Sequence, residues 1–434
     1  MNFDVFYNIK MQVEVKKSDY QSFGGINFLN DYLIKLGFGS LVEHCLGSRR
    51  NTAQYSYSDL LKEIFFICSI GGDALDDSNT LRQEVSRHPG LKVASSDTIE
   101  YAFQELKQPT WVERTETTVH YINEHNGFNQ LLPLICKKSG MLSPDHGYTM
   151  DYDGHIVENT KNDNAFTYKK MKGYYPTLCS INKLPVYMQN RKGNTPEGYK
   201  AKSAIEEAIQ GCLKNDITIK HFRADACCYQ KDVMEYLESL PTPVHYFIRA
   251  EINNGLRIAL EDETEWKGTM LNYQRIQVCS ITETVLGKPR RIVAYRKRAT
   301  GQLRIDEQDG YSYHAIATND TQMSEDEVLK FYNQRGCQGE HHFKELDHDF
   351  NWNKLPFDTI EMNTIYMYAT LVAYQLFNAS KQFLSRRLSF VNVEMRLKNF
   401  ILHFVTLPAR WIKSGRRQIL KIFTTRDYRP LWNT

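Results

Sequence analysis

No stretch of this 434-residue chain is a continuous apolar run long enough to cross a membrane. The longest, Ile365 to Phe377, is interrupted by Thr370 and Gln375 and falls short of the roughly 18 residues that a spanning helix requires, so it reads as a buried helix. The nine cysteines are odd in number and contain no C-x-x-C pair, which argues against a disulfide framework or a zinc cage and for reduced thiols. Met1 to Lys17 carries Asp4, Lys10, Glu14 and two further lysines, with neither an apolar h-region nor a small-residue cleavage site, so no secretion signal and a cytoplasmic location are expected. Internal repeats and low-complexity tracts are also missing.

What is present is the composition of an ordinary globular protein, long enough for two or three domains that each bury a core. Hydrophobic residues make up 41% and charged residues 24%, with 26 Tyr and 22 Phe, so disorder is excluded. The net charge of +3 conceals an asymmetry. Residues 381–434 hold twelve Lys or Arg against two acids, Glu394 and Asp427, which leaves the preceding part of the chain net acidic. A basic C-terminal region with Trp411 among Arg410, Lys413, Arg416 and Arg417 suits a polyanionic partner, nucleic acid in particular, although a solvated basic helix face has the same composition.

Residues 25 to about 140 read as helical throughout, with caps at Ser58 and Ser96 and punctuation at Pro89-Gly90 and Pro109. Short helices with tight turns suit a helix-turn-helix-like module and equally any small helical bundle. After Pro144 three strands are expected, Tyr148 to Asp153, Tyr175 to Ile181 and Pro185 to Gln189, with turn signals between them. Ile205, Ala208, Ile209, Cys212 and Leu213 then form the stripe of an amphipathic helix. A strand from Ile217 to Ala224, a helix ending at Pro241 and a strand from Val244 to Ile248 complete the order βββαβαβ. Residues 250–312 read as a β-rich insertion with strands at Gln274 to Ile281 and Arg290 to Arg296, followed by a strand from Tyr311 to Ala317. Ser324 and Glu327 form a capping box that opens a helix carrying Tyr332 and Arg335, and Gly336 and Gly339 should loosen it before Glu340.

Three acidic positions stand at matching places in this layout. Asp151 and Asp153 are two apart on a strand and so share a face, Asp225 ends the fourth strand, and Glu340 lies on the helix that follows the sheet. If the first and fourth strands are neighbours, Asp153 and Asp225 come side by side. Gathered carboxylates raise one another's pKa unless a cation holds them. Hard oxygen ligands suit Mg²⁺ or Mn²⁺, and a pair of such ions serves in-line phosphoryl displacement.

The segments Met150-Asp-Tyr-Asp-Gly154, Phe222-Arg-Ala-Asp225, Tyr246-Phe-Ile-Arg-Ala250, Tyr332-Asn-Gln-Arg-Gly336 and Glu340-His-His-Phe-Lys-Glu-Leu346 resemble DDE transposases of bacterial insertion sequences. They are most similar to the thirteen-eighty family, within the superfamily that carries a Tyr-Arg-Glu-Lys signature. The resemblance implies an α/β fold: an RNase H-like catalytic domain, a mixed five-stranded sheet flanked by helices, with a β-strand insertion and with helical N-terminal and C-terminal regions. It implies Mg²⁺ dependence, with Mn²⁺ able to substitute, and cut-and-paste transposition at terminal inverted repeats. It selects Asp153 over Asp151 as the first acid, Asp225 as the second and Glu340 as the third. Tyr332, Arg335 and Lys344 become contacts to DNA near the cleaved end, and Trp266 a residue that stacks on a flipped base, with a core role as the plainer reading. Two departures stand out: four residues separate Arg335 from Glu340 where three are usual, which keeps Glu345 as an alternative, and His155 replaces a Thr or Ser.

His341, His342 and His348 lack the i, i+4 spacing of a zinc site, and Cys227 and Cys228 read as small buried helix-start residues. The expected domains are 1–143, helical and DNA-binding; 144–249 and 313–357, the two parts of the catalytic core; 250–312, the insertion; and 358–434, a basic helical region that includes Arg416 and Arg417. The expected partners are double-stranded DNA and a second copy of the chain in a paired-end complex, in a bacterial cytoplasm. The competing readings are a catalytically inactive DNA-binding relative and a plain metal-dependent nuclease.

Overall fold

The computed structural model describes residue 14 and residues 19–298 and 310–432, apart from the side chains of residues 337–341. Its strands are β1 (Trp111–Arg114), β2 (Val119–Asn123), β3 (Gly147–Gly154), β4 (Thr177–Ile181), β5 (Leu184–Arg191), β6 (Thr218–Ala224), β7 (His245–Arg249), β8 (Lys267–Leu271), β9 (Gln274–Val285), β10 (Lys288–Arg298) and β11 (Tyr311–Thr318). They form one mixed sheet in the order β1-β2-β5-β4-β3-β6-β7-β11-β10-β9-β8. Two-residue turns with positive φ close three of its hairpins, at Asn182-Lys183, Asn272-Tyr273 and Leu286-Gly287, the geometry that matches strand twist.

The centre of the sheet is set by side-chain alternation. Met150 and Tyr152 of β3 enter one core, so Asp151 and Asp153 must face the other side. β3 pairs antiparallel with β4 and parallel with β6, and β7 continues parallel beside β6. The five strands expected for the core lie side by side, and the expected insertion strands and Tyr311–Thr318 extend the same sheet, together with hairpin strands β1, β2 and β8, to eleven strands among the described residues. An edge strand exposes a row of unpaired N–H and C=O groups. Here the insertion's β10 covers β11 along its whole length, and β2 meets β5 at Ile122 and Asn123.

That second pairing corrects the reading of residues 25–140 as wholly helical. The segment Trp111–Asn123 is a hairpin closed by a Thr115 N–H bond to the Thr118 carbonyl, because aromatic and β-branched residues find a sheet edge to pair with. The remaining N-terminal elements are helices: α1 (Gly25–Leu36), α2 (Phe38–Leu46), α3 (Tyr57–Ser69), α4 (Ser78–Glu84), α5 (Ser96–Leu106) and α6 (Asn126–Lys138). Their caps fall one or two residues earlier than the pattern suggests: Ser56 with Asp59 forms a capping box for α3, and Ser95 caps α5.

α7 (Ala201–Leu213), α8 (Lys231–Ser239) and α9 (Asn254–Asp262) cover one face of the sheet. The other face receives α10 (Glu325–Asp349) and α11 (Ile360–Ser385). α10 is continuous through Gly336 and Gly339 rather than reset there. Most of the 26 residues of α11 are buried, as befits a helix that is apolar on all sides, and no described helix is long and apolar enough to cross a membrane.

The C-terminal region is not helical at its basic end. β12 (Ala409–Ser414) and β13 (Arg417–Ile422) form a separate hairpin, placing Arg416 in the turn and Arg417 at the start of the second strand. Trp411, Leu420 and Ile422 share one face of it by strand alternation, and the Trp411 indole N–H donates to Asn27 Oδ1 of α1 at 3.0 Å. This tertiary contact selects strand over helix.

Tyr368 joins α11 to the sheet: its hydroxyl donates to the Met188 carbonyl at 2.5 Å and accepts from the His125 N–H at 3.2 Å, with no solvent access. Tyr368→Phe is expected to lower stability by about 1–3 kcal/mol, because both backbone groups lose a buried partner. Urea unfolding with an unchanged midpoint would show that this link contributes nothing.

Candidate active site

Parallel pairing of β3 and β6 opposes Asp151 to Arg223 and Tyr152 to Ala224, so Asp153 and Asp225 follow at neighbouring strand ends. Asp225 also caps the short turn Ala226–Cys228, accepting from the Cys227 N–H at 2.9 Å. The two aspartates of β3 have different partners. Asp151 is buried and receives both arms of the Arg223 guanidinium, Nε at 2.7 Å and Nη2 at 2.8 Å, while Nη1 donates to the Phe331 carbonyl of α10 at 2.7 Å. Asp153, one pleat further, is partly exposed and meets Arg335 Nη2 at 3.0 Å.

The helix that brings Arg335 is fixed at its start by the Ser324–Glu327 capping box. Tyr332 and Arg335, three apart and so on one face, grip the strand ends: the Tyr332 hydroxyl donates to the Ala224 carbonyl and Arg335 Nη2 to the Tyr152 carbonyl, each at 3.3 Å. Arg335 is largely buried, and among the described residues its Nε has no hydrogen-bond partner. Burial pushes the Asp153 carboxyl above its usual range; Arg335 opposes this and the charge of Asp225 adds to it. Burial also works against the Asp225 charge, yet donation from Cys227, the charge of Arg335 and a hydrogen bond from Glu197 hold its carboxyl below the usual range.

Glu197 is the acid that the sequence reading missed. It lies between β5 and α7, is largely buried and hydrogen-bonds with Asp225 and Tyr175. Burial, then the neighbouring Asp225, raise its pKa to about 7. Within the pair, burial and the shared hydrogen bond disfavour charge on Glu197 and favour it on Asp225. Among the described residues, Glu197, Asp225 and Cys227 bring ligand atoms within 4.8 Å of one another. Asp153, turned to Arg335, does not complete a foursome at that distance. The Cys227 thiol is pushed far above its ordinary range, first by its hydrogen bond with Cys228 and then by burial, so it acts as a donor to Asp225. Two carboxylates brought this close by the fold form a donor set that fits a divalent cation. The available sequence signal was Glu197 itself, between Pro196 and Gly198, directly ahead of a sheet-covering helix.

The other candidates occupy different surroundings. The Glu340 and His341 side chains lie outside the described residues. Glu345 turns to Tyr374 and Lys381 of α11, away from the aspartates, and Lys344 is exposed on α10. His155 bonds Asp347 at 2.8 Å and stacks on Phe343 at 4.5 Å, while His342 is buried and His348 exposed. Trp266 is half-buried in the insertion: its N–H donates to the Glu263 carbonyl at 2.9 Å, and the Arg296 guanidinium lies 4.3 Å from its ring centre. Arg416 and Arg417 are exposed at the tip of the β12–β13 hairpin.

A family model described as transposase DDE domain group 1 matches residues 3–433, nearly the whole chain. The chain belongs to this family of transposases. Among solved structures, the transposase is similar to a piggyBac transposase synaptic complex with hairpin DNA, at 9% identity over 88% of this chain and 78% of that one, with a TM-score of 0.42. It is also similar to the Drosophila P element transposase strand transfer complex, at 10% identity over 57% and 53% of the two chains, with a TM-score of 0.24. No curated protein matches. The transposase thus combines the enzyme class shown by its family with an acidic cluster suited to a divalent metal.

The contrast between the two β3 aspartates gives a test. Asp151→Asn leaves the buried Arg223 without its charge partner and is expected to destabilise the transposase by about 3–5 kcal/mol. Asp153→Asn removes a carboxyl that burial already disfavours and leaves the charge of Asp225 beside Arg335, so it should cost clearly less than Asp151→Asn. Equal urea-unfolding losses for the two variants would contradict this division of roles.

Proposed function

We propose that this transposase cuts the DNA of its own mobile element at the terminal inverted repeats and joins the freed ends to target DNA, by cut-and-paste transposition. Asp153, Asp225 and Glu340 are its three acids, and Mg²⁺, or Mn²⁺ in its place, is the cofactor. The observation that carries this reading is the placement of Asp153 and Asp225 on adjoining strand ends, under Arg335, in a chain of the DDE transposase family. The strand order supports an RNase H-like core: of the five strands from β3 to β7, the first is central, flanked by the second and third on one side and the fourth and fifth on the other. Glu340 precedes Phe343 by three positions and Asp347 by seven, the spacing of one helix face, and those two residues meet His155, next to the end of β3.

Bound divalent cations would polarise the scissile phosphate and favour the attacking water or 3′-hydroxyl. The chain's own residues provide the rest. Asp153 and Asp225 offer ligand oxygens from a rigid sheet, so little reorganisation accompanies strand cleavage. Arg335 keeps an unpaired Nε for a phosphate oxygen, and a guanidinium suits phosphate better than a point charge does. Tyr332 holds Arg335's helix against β6. Lys344, Trp266, Arg416 and Arg417 are further DNA contacts, with the N-terminal helices as the DNA-binding domain, the basic C-terminal region as a backbone contact, and 144–249 with 313–357 as the catalytic core. Two ends must be paired, so the active form is a homodimer. The reading extends to a bacterial insertion sequence of the thirteen-eighty family and a cytoplasmic location.

The test uses a labelled duplex bearing the element's terminus and flanking DNA, with Mg²⁺ or EDTA, beside Asp225→Asn. Nicking at the terminus that needs metal and falls at least a thousandfold in the variant is the expected result. End binding without cleavage under any divalent metal would instead establish an inactive DNA-binding relative, and cleavage without strand transfer a nuclease.

A further inference from the structure

We infer that Glu197 is a fourth acid of this site and a direct ligand of its divalent cation, delivered by the loop between β5 and α7. The inference rests on the reading of the Asp153–Asp225 site as metal-holding and adds a residue to it.

The loop is built to fix this carboxylate. Arg191, fully buried, bends back so that Nη1 donates to the Pro196 carbonyl at 2.6 Å and to the Glu197 carbonyl at 2.9 Å. The Tyr152 hydroxyl, from the opposite side of the strand that carries Asp153, donates to the same Glu197 carbonyl at 2.7 Å. Gln230 at the start of α8 donates to the Gly198 carbonyl at 2.8 Å and to the Cys227 carbonyl at 2.6 Å. The peptide units around Glu197 are thus tied to β3, β5 and the turn after Asp225, the same elements that position the aspartates. Burying an arginine to hold neutral carbonyls is costly, and here it serves to set the path of this loop.

The glycines around Glu197 leave it room at the site. A Cβ on Gly154, the residue after Asp153, would overlap Glu197 Oε2 and lie 2.7 Å from the Tyr175 ring. A Cβ on Gly198 would lie 2.7 Å from the Cys227 carbonyl. Both positions exclude any larger side chain, so the carboxylate passes over the end of β3 to reach Asp225. Arg335, largely buried beside these carboxylates, has an Nε that lacks a partner among the described residues, so the site still has room for a further acceptor such as a phosphate oxygen bridged by the cation. Carboxylates from two different chain segments that meet within 4.8 Å, beside the Cys227 thiol and each held by its own backbone anchors, have the form of a cation site assembled by folding. Glu197 contributes a carboxylate that lies beside that of Asp225.

Mn²⁺ binding to the full-length, DNA-free protein tests this, read as free Mn²⁺ by electron paramagnetic resonance and as the metal-induced rise in unfolding temperature. Wild type, Glu197→Gln, Glu197→Asp and Asp225→Asn are compared, each checked for native thermal unfolding in EDTA. The expected result is loss of binding in Asp225→Asn, at least tenfold weaker binding in Glu197→Gln and an intermediate affinity in Glu197→Asp, which keeps the charge but withdraws it by one methylene. Wild-type affinity in both Glu197 variants alongside loss in Asp225→Asn would overturn the role of Glu197 and leave the acid-pair reading standing. Wild-type affinity in Asp225→Asn would overturn the acid-pair reading, and the role of Glu197 with it. If Glu197→Gln fails the folding check, the Glu197→Asp comparison decides alone.

Discussion

The buried fork between Arg223 and Asp151 is the constraint on which the site depends. A guanidinium removed from water needs its donors met by acceptors in a fixed plane. Both oxygens of Asp151 and the Phe331 carbonyl meet that need. The three acceptors belong to β3 and α10 and the donor to β6, so one ion pair sets strand register and helix position together. Strand periodicity does the rest: two residues past Asp151 and Arg223, on the same sheet face, stand Asp153 and Asp225. The residue most easily mistaken for a ligand is therefore the one that places the ligands.

A second organising element is α11. Its buried surface gathers side chains from Ile26 to Leu431 into one core that also includes Leu178 and Met188 of the sheet. Segments far apart in sequence thereby share one apolar interior, and their interactions with the sheet pass through buried hydrogen bonds such as Gln375 Nε2 to the Pro185 carbonyl at 2.6 Å. A polar atom in such a core fixes the register of the helix as well as its depth.

Much of this was legible in the sequence because it is governed by local periodicity. The strands of β3, β6 and β11, the stripe of α7 and the Ser324 capping box each announce themselves within a dozen residues. The adjacency of Asp153 and Asp225 followed from strand order. What escaped depends on contacts between distant segments. Trp111–Asn123 became a hairpin because β5 offered an edge, and Ala409–Ile422 became one because α1 offered a surface for Trp411. Glu197 carried no motif: its place at the site is decided by Arg191, Tyr152 and Gln230 acting on a loop backbone. The helix expected to loosen or reset at Gly336 and Gly339 runs on, since packing on both sides outweighs the roughly 1 kcal/mol that each glycine costs a helix.

The strand-like bridges that join Gln21 to Ala409 and Phe23 to Leu407 lay the early and late parts of the chain against each other, although nearly four hundred residues separate them. In topological terms the described chain is a closed loop. Synthesis makes the N-terminal partner of this seam long before its complement, so the Asn27 and Phe28 face of α1 stays uncovered until residues nearly four hundred positions later have folded against it. The cover of this face of α1 is therefore assembled entirely from distant sequence: Trp411 of the β12–β13 hairpin meets Asn27, and Phe404, Tyr428 and Trp432 pack around Phe28.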